Sequence, residues 1–151
     1  MEIQENNYAG FWRRVAALIL DDIIIIFFSI SLFSIIYFAV SVNYTHTFTE
    51  DYKKIEAIAY LIWGIYLLFI RWAYYAGMES SPFKATVGKI ITGLYVTNLK
   101  GERVSFGQAS GRFFGKILSG LILGIGYIMA GTTETKQALH DKVSDCLVLK
   151  R

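Results

Sequence analysis

The sequence has one cysteine and one proline, and it is poor in charged residues. A lone cysteine, Cys146, cannot form an internal disulfide, and no Cys/His spacing predicts a metal site. No basic run is long enough to indicate nucleic-acid binding. No nucleophile elbow or complete dinucleotide fingerprint occurs, so we expect a protein that is not an enzyme and has no cofactor. Charged residues make up 18% of the chain, against about 25% in an ordinary soluble domain.

The chain is rich in apolar residues. They make up 54% of the 151 residues, and the mean hydropathy is +0.43. Residues 23–42 carry no formal charge, and a helix of that length crosses the ~30 Å hydrocarbon core of a bilayer. A second apolar stretch is interrupted only by Arg71 and reaches a belt of aromatic residues. We predict an integral membrane protein with a first span over 15–42 and a second over 55–77.

A third apolar block is shorter and rich in glycine. Residues 117–131 form a block that is short for a membrane span and as long as a re-entrant segment, so its length fits either structure. We therefore predict a third membrane segment over 112–131 that is either a span or a re-entrant hairpin. Four glycines at GxxxG spacing are predicted to pack helices closely; they are Gly111, Gly115, Gly120 and Gly124.

The chain between the second and third segments carries different signals. Ser80 or Ser81 is a good N-cap and Pro82 suits a first helical turn, so a short surface helix is predicted there. Alternating apolar residues on either side of "NLKGE" then predict a β-hairpin, and helix and hairpin together occupy 82–108. The tail, 132–151, is predicted to hold a short polar helix and a final strand, "CLVL", which the hairpin would pair.

The distribution of lysine and arginine predicts orientation. Residues 71–116 contain seven of them, whereas the 43–54 loop contains two. The basic side is cytoplasmic by the positive-inside rule. We therefore predict a multi-pass protein of the cell membrane with a cytoplasmic N-terminus and the 43–54 loop outside. The fold class is all-α with a small cytoplasmic β-hairpin, and the tail is cytoplasmic if the third segment is a hairpin.

Four charges interrupt the start of the first span, in "RRVAALILDD". Arg14 and Asp21 lie seven residues apart and so share one helix face, with Asp21 ~10 Å deeper. A lipid-facing aspartate would cost ~2.5–3.5 kcal/mol, so Asp21 and Asp22 are expected to face protein, near Arg14 or Arg71, or to take up protons. Alternatively, both aspartates cap a helix at the membrane surface.

These residues resemble the RDD family of small membrane proteins. "YAGFWRRVAALILDD" is similar to its opening, which places the family arginine at Arg14 and the first aspartate at Asp21. "TVGK" and "LHD" are similar to two later boxes, and Asp141 matches the aspartate of the second. The chain departs from the family at the valine of "TVGK" and at "SDC". The resemblance implies a role in transport of ions or small ligands, or as an accessory subunit.

Two functional hypotheses follow. The first is an oligomeric transporter of cations, protons or a small ligand, in which intramembrane charges handle the substrate; the candidate ion, proton or ion-pair residues are Arg14, Asp21, Asp22, Arg71 and Asp141. The alternative is an accessory subunit that modulates a larger membrane partner. Either way we expect the lipid bilayer and a homo-oligomer or larger membrane protein as partners. His140 is expected to be solvated or to make a local hydrogen bond beside Asp141, and a proton relay is the alternative.

Overall fold

The computed structural model describes residues 7–44, 50–121 and 125–151. The elements in chain order are α1 (Phe11–Tyr44), α2 (Glu50–Glu79), α3 (Val87–Ile91), β1 (Leu94–Asn98), α4 (Phe106–Leu121), α5 (Ile125–Thr132), α6 (Leu139–Val143) and β2 (Cys146–Lys150). Two of these helices are long and apolar enough to cross a membrane, over Phe11–Phe38 and Glu56–Glu79. The predicted helical fold with two long apolar helices is confirmed.

The two long helices extend further than the predicted spans of 15–42 and 55–77. Helix α1 continues to Tyr44, and α2 begins at Glu50. The predicted 43–54 loop is therefore helical at both of its ends, and its middle residues, 45–49, lie outside the described part of the chain. The polar residues at these ends continue the helices because nothing in "EDYKK" breaks a helix, such as proline or glycine.

The chain divides into two compact units. Unit 1 comprises Met1–Asp21 and Trp72–Arg151, and unit 2 comprises Asp22–Arg71. Unit 2 contains the second part of α1 and most of α2, which contact through aromatic rings. The ring centroids of Phe33 and Trp63 lie 4.8 Å apart. Most of its other large apolar side chains are exposed, as lipid-facing residues are.

The core of unit 1 is a two-stranded antiparallel sheet. Strand β1 pairs with β2 over its whole length, with Val96 opposite Val148. Leu94, Val96 and Thr97 of β1 are buried, and so are all four residues of Cys146–Leu149 in β2. Because neighbouring side chains of a strand point to opposite faces, β2 is covered on both faces of the sheet. The backbone N–H of Ala9 donates to the carbonyl of Val148 at 2.9 Å, which ties the residues before α1 to the sheet.

The predicted β element is therefore present, and "CLVL" finds its partner in β1 as expected. The predicted turn also forms, since the Asn98 side-chain oxygen accepts hydrogen bonds from the N–H groups of Lys100 and Glu102 at 2.9 Å each. Residues 103–105, which were expected to continue the hairpin, contain no strand. They lead directly to α4. At the start of this helix the Ser105 N–H donates to Gln108 Oε1 and the Gln108 N–H donates to Ser105 Oγ, so the two residues form a capping box.

The prediction of a helix beginning at Ser80 or Ser81 is wrong. Helix α2 continues to Glu79, and a turn follows, in which the Ser81 hydroxyl accepts a hydrogen bond from the Phe83 N–H at 3.2 Å. Lys84 has a φ of 54°, which interrupts a right-handed helix. The surface helix is α3, which has only five residues and starts after Thr86.

The predicted third membrane segment, 112–131, coincides with two helices, α4 and α5, and α4 begins earlier than residue 112. Helices α4 and α5 differ in direction by 99°. The break between them, residues 122–124, lies outside the described residues, so the predicted packing role of Gly124 concerns a residue that the structure does not describe. Apolar side chains of α4, including Phe114 and Leu118, are exposed.

Candidate functional site

A buried carboxylate at the end of α2 gathers three cations in unit 1. Glu79 is 1% exposed, and its Oε1 forms an ion pair with Lys89 of α3. Arg112 Nε lies 3.1 Å from Glu79 Oε2, and Lys116 Nζ lies 3.4 Å from Oε1. Helix α4 presents Arg112 and Lys116 on one face because they are four residues apart.

A second buried carboxylate belongs to α6. Asp141 is 0% exposed and forms ion pairs with Arg14 and Arg112, the latter at 3.0 Å between Nη2 and Oδ1. Its Oδ2 also accepts a hydrogen bond from the Ala138 N–H, which caps α6. Burial alone would raise the pKa of Asp141, but the guanidinium groups of Arg112 and Arg14 outweigh burial and hold this pKa well below its ordinary value.

Arg112 pairs with both carboxylates and so joins them into one network. Arg14 connects this network to the backbone through hydrogen bonds to two carbonyl groups. Arg14 Nε donates to the carbonyl oxygen of Ala9 at 3.1 Å, and Nη2 donates to that of Lys136 at 2.5 Å. Arg14 therefore joins the start of α1 to the segment before α6. These contacts are intramolecular and charge-assisted, which is the stronger class of hydrogen bond.

Asp21 is buried but lies outside these ion pairs. It accepts hydrogen bonds from the Tyr74 hydroxyl at 2.7 Å, the Thr86 hydroxyl at 2.6 Å and the Gly88 N–H at 2.7 Å. No lysine or arginine lies within ion-pair distance among the described residues. Asp21 thus faces protein, as expected, but its partners are neutral donors rather than Arg14 or Arg71.

Gly88 makes this arrangement possible. A Cβ at this position would lie 2.2 Å from the Ala17 carbonyl oxygen and 2.9 Å from the Asp21 carboxyl carbon. Only glycine therefore allows α3 to approach α1 closely enough for its first N–H groups to reach Asp21. The glycine of the "TVGK" box is the sequence feature that could have indicated this close approach, but close helix packing was predicted at other glycines.

Asp22 and Arg71 form an ion pair within unit 2. Their side chains remain 32% and 39% exposed, respectively, unlike the groups around Glu79. The surrounding protein therefore encloses this ion pair less completely than it encloses the groups around Glu79. The adjacent residues Asp21 and Asp22 therefore belong to two different environments.

His140 is buried rather than solvated, at 4% exposure. Burial, reinforced by the nearby positive charges of Arg112 and Lys116, lowers its pKa to about 3, although Asp141 acts in the opposite direction. The imidazole is therefore neutral at pH 7, and its Nδ1 lies 3.5 Å from the Ser119 hydroxyl. A ring that is neutral across the physiological range is poorly suited to relay protons.

The predicted packing glycines divide into two groups. A Cβ on Gly115 would lie 2.9 Å from His140 Cβ, and one on Gly111 would lie 3.1 Å from Ser144 Oγ. These two glycines let α4 approach α6 and so bring Arg112 to Asp141. A Cβ on Gly120 would meet nothing within 4 Å among the described residues, so Gly120 packs no helix of this chain there.

A cavity of about 310 Å³ adjoins the network within unit 1. Its charged lining residues are Arg14, Asp21, Lys89, Arg112 and Lys116. Four cationic side chains share the carboxylates of Glu79 and Asp141, and Asp21 adds a third negative charge, so positive charge remains in excess. Arg112 Nη1 is buried and has no hydrogen-bond partner among the described residues.

Four members of the network, namely Glu79, Lys89, Arg112 and Lys116, were not singled out from the sequence. A signal existed for Arg112, because an ionisable residue inside a membrane segment indicates a functional or structural site. The same signal applied to Lys116, which lies in the predicted third segment, 112–131, whereas Glu79 and Lys89 lie outside the predicted membrane segments, where a charge is ordinary. Their convergence depends on the path of the chain between α2 and α4, which no periodicity reveals.

Comparison with known proteins adds the family. A family model described as the RDD family matches residues 8–145. The chain belongs to the RDD family. The uncharacterized protein YxaI of Bacillus subtilis (strain 168) is 41% identical over 141 residues, covering 88% of this chain and 91% of that protein. The uncharacterized membrane protein YteJ of the same organism is 29% identical over 155 residues, covering 98% and 84%, respectively.

Membership of the RDD family, the membrane-protein relative and the two long apolar helices agree: the chain is an integral membrane protein. No solved structure matches it. Of the residues that the sequence placed at the family's boxes, Arg14 pairs with Asp141, whereas Asp21 holds the start of α3. The described residues contain no group of three or more His, Cys, Asp or Glu side chains arranged to hold a metal ion.

Proposed function

We propose that this membrane protein binds a small anionic ligand in the cavity of unit 1. It would then act as the ligand-binding part of a membrane transporter, as a homo-oligomer or with a larger membrane partner. The excess of positive charge on the cavity wall is the observation that carries the proposal. Buried charge without compensation is unfavourable, and a bound anion would supply the compensation.

The same charges disfavour a cation or proton as the substrate. Every cation that entered the cavity would meet Arg14, Arg112 and Lys116, and Asp21 already accepts three hydrogen bonds. Arg14 and Lys116, which line the cavity and are each 13% exposed, can donate only to an acceptor, which an anion provides and a cation does not. The proposed role is binding and transfer without covalent chemistry.

Binding of sulfate and of inorganic phosphate to the purified full-length protein in neutral detergent tests the proposal. Lys116→Gln should weaken binding about tenfold, because it removes one charged contact of ~1.5 kcal/mol while Lys89 and Arg112 still neutralise Glu79. Arg13→Gln is the matched control, since Arg13 is exposed and does not line the cavity. Absence of binding, or equal losses in both variants, would contradict the proposal. Flux into sealed vesicles then separates transport from binding alone.

We also propose that unit 1 lies on the cytoplasmic side and that α4 and α5 form a re-entrant hairpin. The seven basic residues in 71–116 and the 99° change of direction support this orientation. In a Cys146→Ser background, cysteines at Lys100 and Glu134 should label only from the cytoplasm, and one at Thr47 only from outside. Labelling of Glu134 from outside would mean that the third segment crosses the membrane.

One observation favours the accessory-subunit alternative. Gly120 lies on the same side of α4 as the exposed Ile117, three residues earlier, and nothing within this chain's described residues fills the space that its Cβ would take. Small residues of this kind let helices of different chains approach in lipid. Loss of an oligomer or co-purifying partner in Gly120→Leu, with unchanged anion binding, would support this second role.

A further inference from the structure

The cavity wall combines two kinds of surface from different helices. Arg112 and Lys116 come from one face of α4 and carry the charge. Phe11, Val15 and Leu18 come from one face of α1, at helical spacing, and are apolar. Tyr127 and Ala130 of α5 add further apolar surface. A fully hydrated inorganic anion would gain nothing from this second surface.

The helices that form this wall also carry apolar side chains on their outer surface. Trp12 of α1 is 78% exposed, Phe114 of α4 is 54% exposed and Ile128 of α5 is 55% exposed. In a membrane protein such residues contact lipid. The cavity is therefore lined by elements that border the bilayer, so lipid molecules are present at high local concentration beside it.

The charged part of the wall suits a phosphate group. Arginine presents several donors in a planar fork and lysine adds a point charge, and both are common partners of phosphate oxygens. Lys116, whose side chain lines the cavity and is 13% exposed, can donate to one such oxygen. One negative charge, the charge of a phosphodiester, equals the positive excess that remains when Asp21 is counted.

We infer that the ligand of this cavity is a phosphate-bearing amphiphile, an anionic phospholipid whose phosphodiester meets Arg112 and Lys116 while its apolar part lies along Phe11, Val15 and Leu18. This inference rests on the proposed function, because it names the anion. Free phosphate shares the charged chemistry but not the apolar contact, so the two sources can be separated by experiment.

The test uses the full-length protein in neutral detergent with three separate probes: a short-chain phosphatidylglycerol, the matching zwitterionic phosphatidylcholine and inorganic phosphate. We expect phosphatidylglycerol to bind at least tenfold more tightly than either of the others. Lys116→Gln should weaken phosphatidylglycerol binding about tenfold, and Arg13→Gln should leave it unchanged.

A second variant isolates the apolar contact. Val15→Thr keeps the shape of the side chain but adds a hydroxyl, so it should weaken phosphatidylglycerol binding several-fold and leave phosphate binding unchanged. Equal affinity for phosphate and phosphatidylglycerol, with no effect of Val15→Thr, would overturn the lipid inference and leave the anion proposal intact. Equal affinity for both lipids would overturn it as well. Failure of every probe would remove both proposals.

Discussion

Units 1 and 2 differ in how far the protein encloses their charged side chains. In unit 1, four cationic side chains and the carboxylates of Glu79 and Asp141 lie together around Arg112, each at most 13% exposed, and three neutral donors enclose Asp21. In unit 2, the single described ion pair that both long helices share, Asp22 with Arg71, stays partly exposed among side chains that face outward. Two consecutive aspartates thus end in different environments because they point ~100° apart on one helix. The difference indicates that unit 1 is the part built around charged groups.

The largest expected effect comes from removing the carboxylate with three cationic neighbours. Glu79→Gln leaves Lys89, Arg112 and Lys116 without their shared partner, and stranding buried charge typically costs ~3–5 kcal/mol. The thermal midpoint of the purified protein in detergent should fall sharply, or folded protein should not be recovered. Asp22→Asn is the control from unit 2 and should cost less, because it leaves one cation, Arg71, without its partner instead of three, and that cation is 39% exposed. Similar losses of stability in both variants would show that the charged groups of the two units do not differ in their contribution to stability.

A smaller loss of stability is expected at Gly88, where the backbone of α3 approaches that of α1. Gly88→Ala would place a methyl group 2.2 Å from the Ala17 carbonyl oxygen, so α3 must move away from Asp21. Overpacking of this kind costs ~1–3 kcal/mol. Gly77→Ala, within α2, is the matched control and should be neutral or slightly stabilising, since its Cβ would meet no described residue within 4 Å and alanine favours helix. Thermal unfolding in detergent measures both. Equal stability of the two variants would show that α3 accommodates a side chain.

A double-mutant cycle tests which aspartate Arg14 depends on. Arg14→Gln combined with Asp141→Asn should lose less stability than the sum of the single variants, by ~1–3 kcal/mol, because the two groups are in contact. The same cycle with Asp21→Asn should be additive, since Asp21 has other partners. Coupling to Asp21 instead would mean that the pairing predicted from the sequence is the one that forms in the membrane.

The sequence predicted the elements of this fold better than their contacts. Uninterrupted apolar runs and the strand signals of "LYVTN" and "CLVL" are local, and they located the long helices and the sheet. The burial of Asp21 was predicted from its depth in the first span. Its partners were not, because Thr86 and Gly88 reach it only after a turn at Lys84 that shortens the predicted surface helix. Glu79 and Lys89 likewise look ordinary in sequence, and only tertiary structure brings them together.

The smallest expected effect is a pH dependence that belongs to Lys89. Lys89 faces Glu79 of α2, Arg112 and Lys116 of α4, and, across the cavity, Asp21 of α1. Burial lowers the pKa of its ammonium group from 10.5 to about 8, with help from Lys116 and Arg112 and against the attraction of Glu79.

Between these two pKa values the unfolded chain holds a proton on Lys89 that the folded chain has lost. Stability from this group therefore rises as pH increases from about 8 toward 10.5, and it is constant below pH 8. The thermal midpoint of the wild type minus that of Lys89→Met should increase between pH 8 and 9.5, while titrations elsewhere cancel in the difference. Anion binding should weaken over the same interval, because the cavity loses a positive charge. A flat difference with unchanged anion affinity would mean that Lys89 keeps its proton throughout, and that Glu79 compensates its burial more fully than the geometry implies.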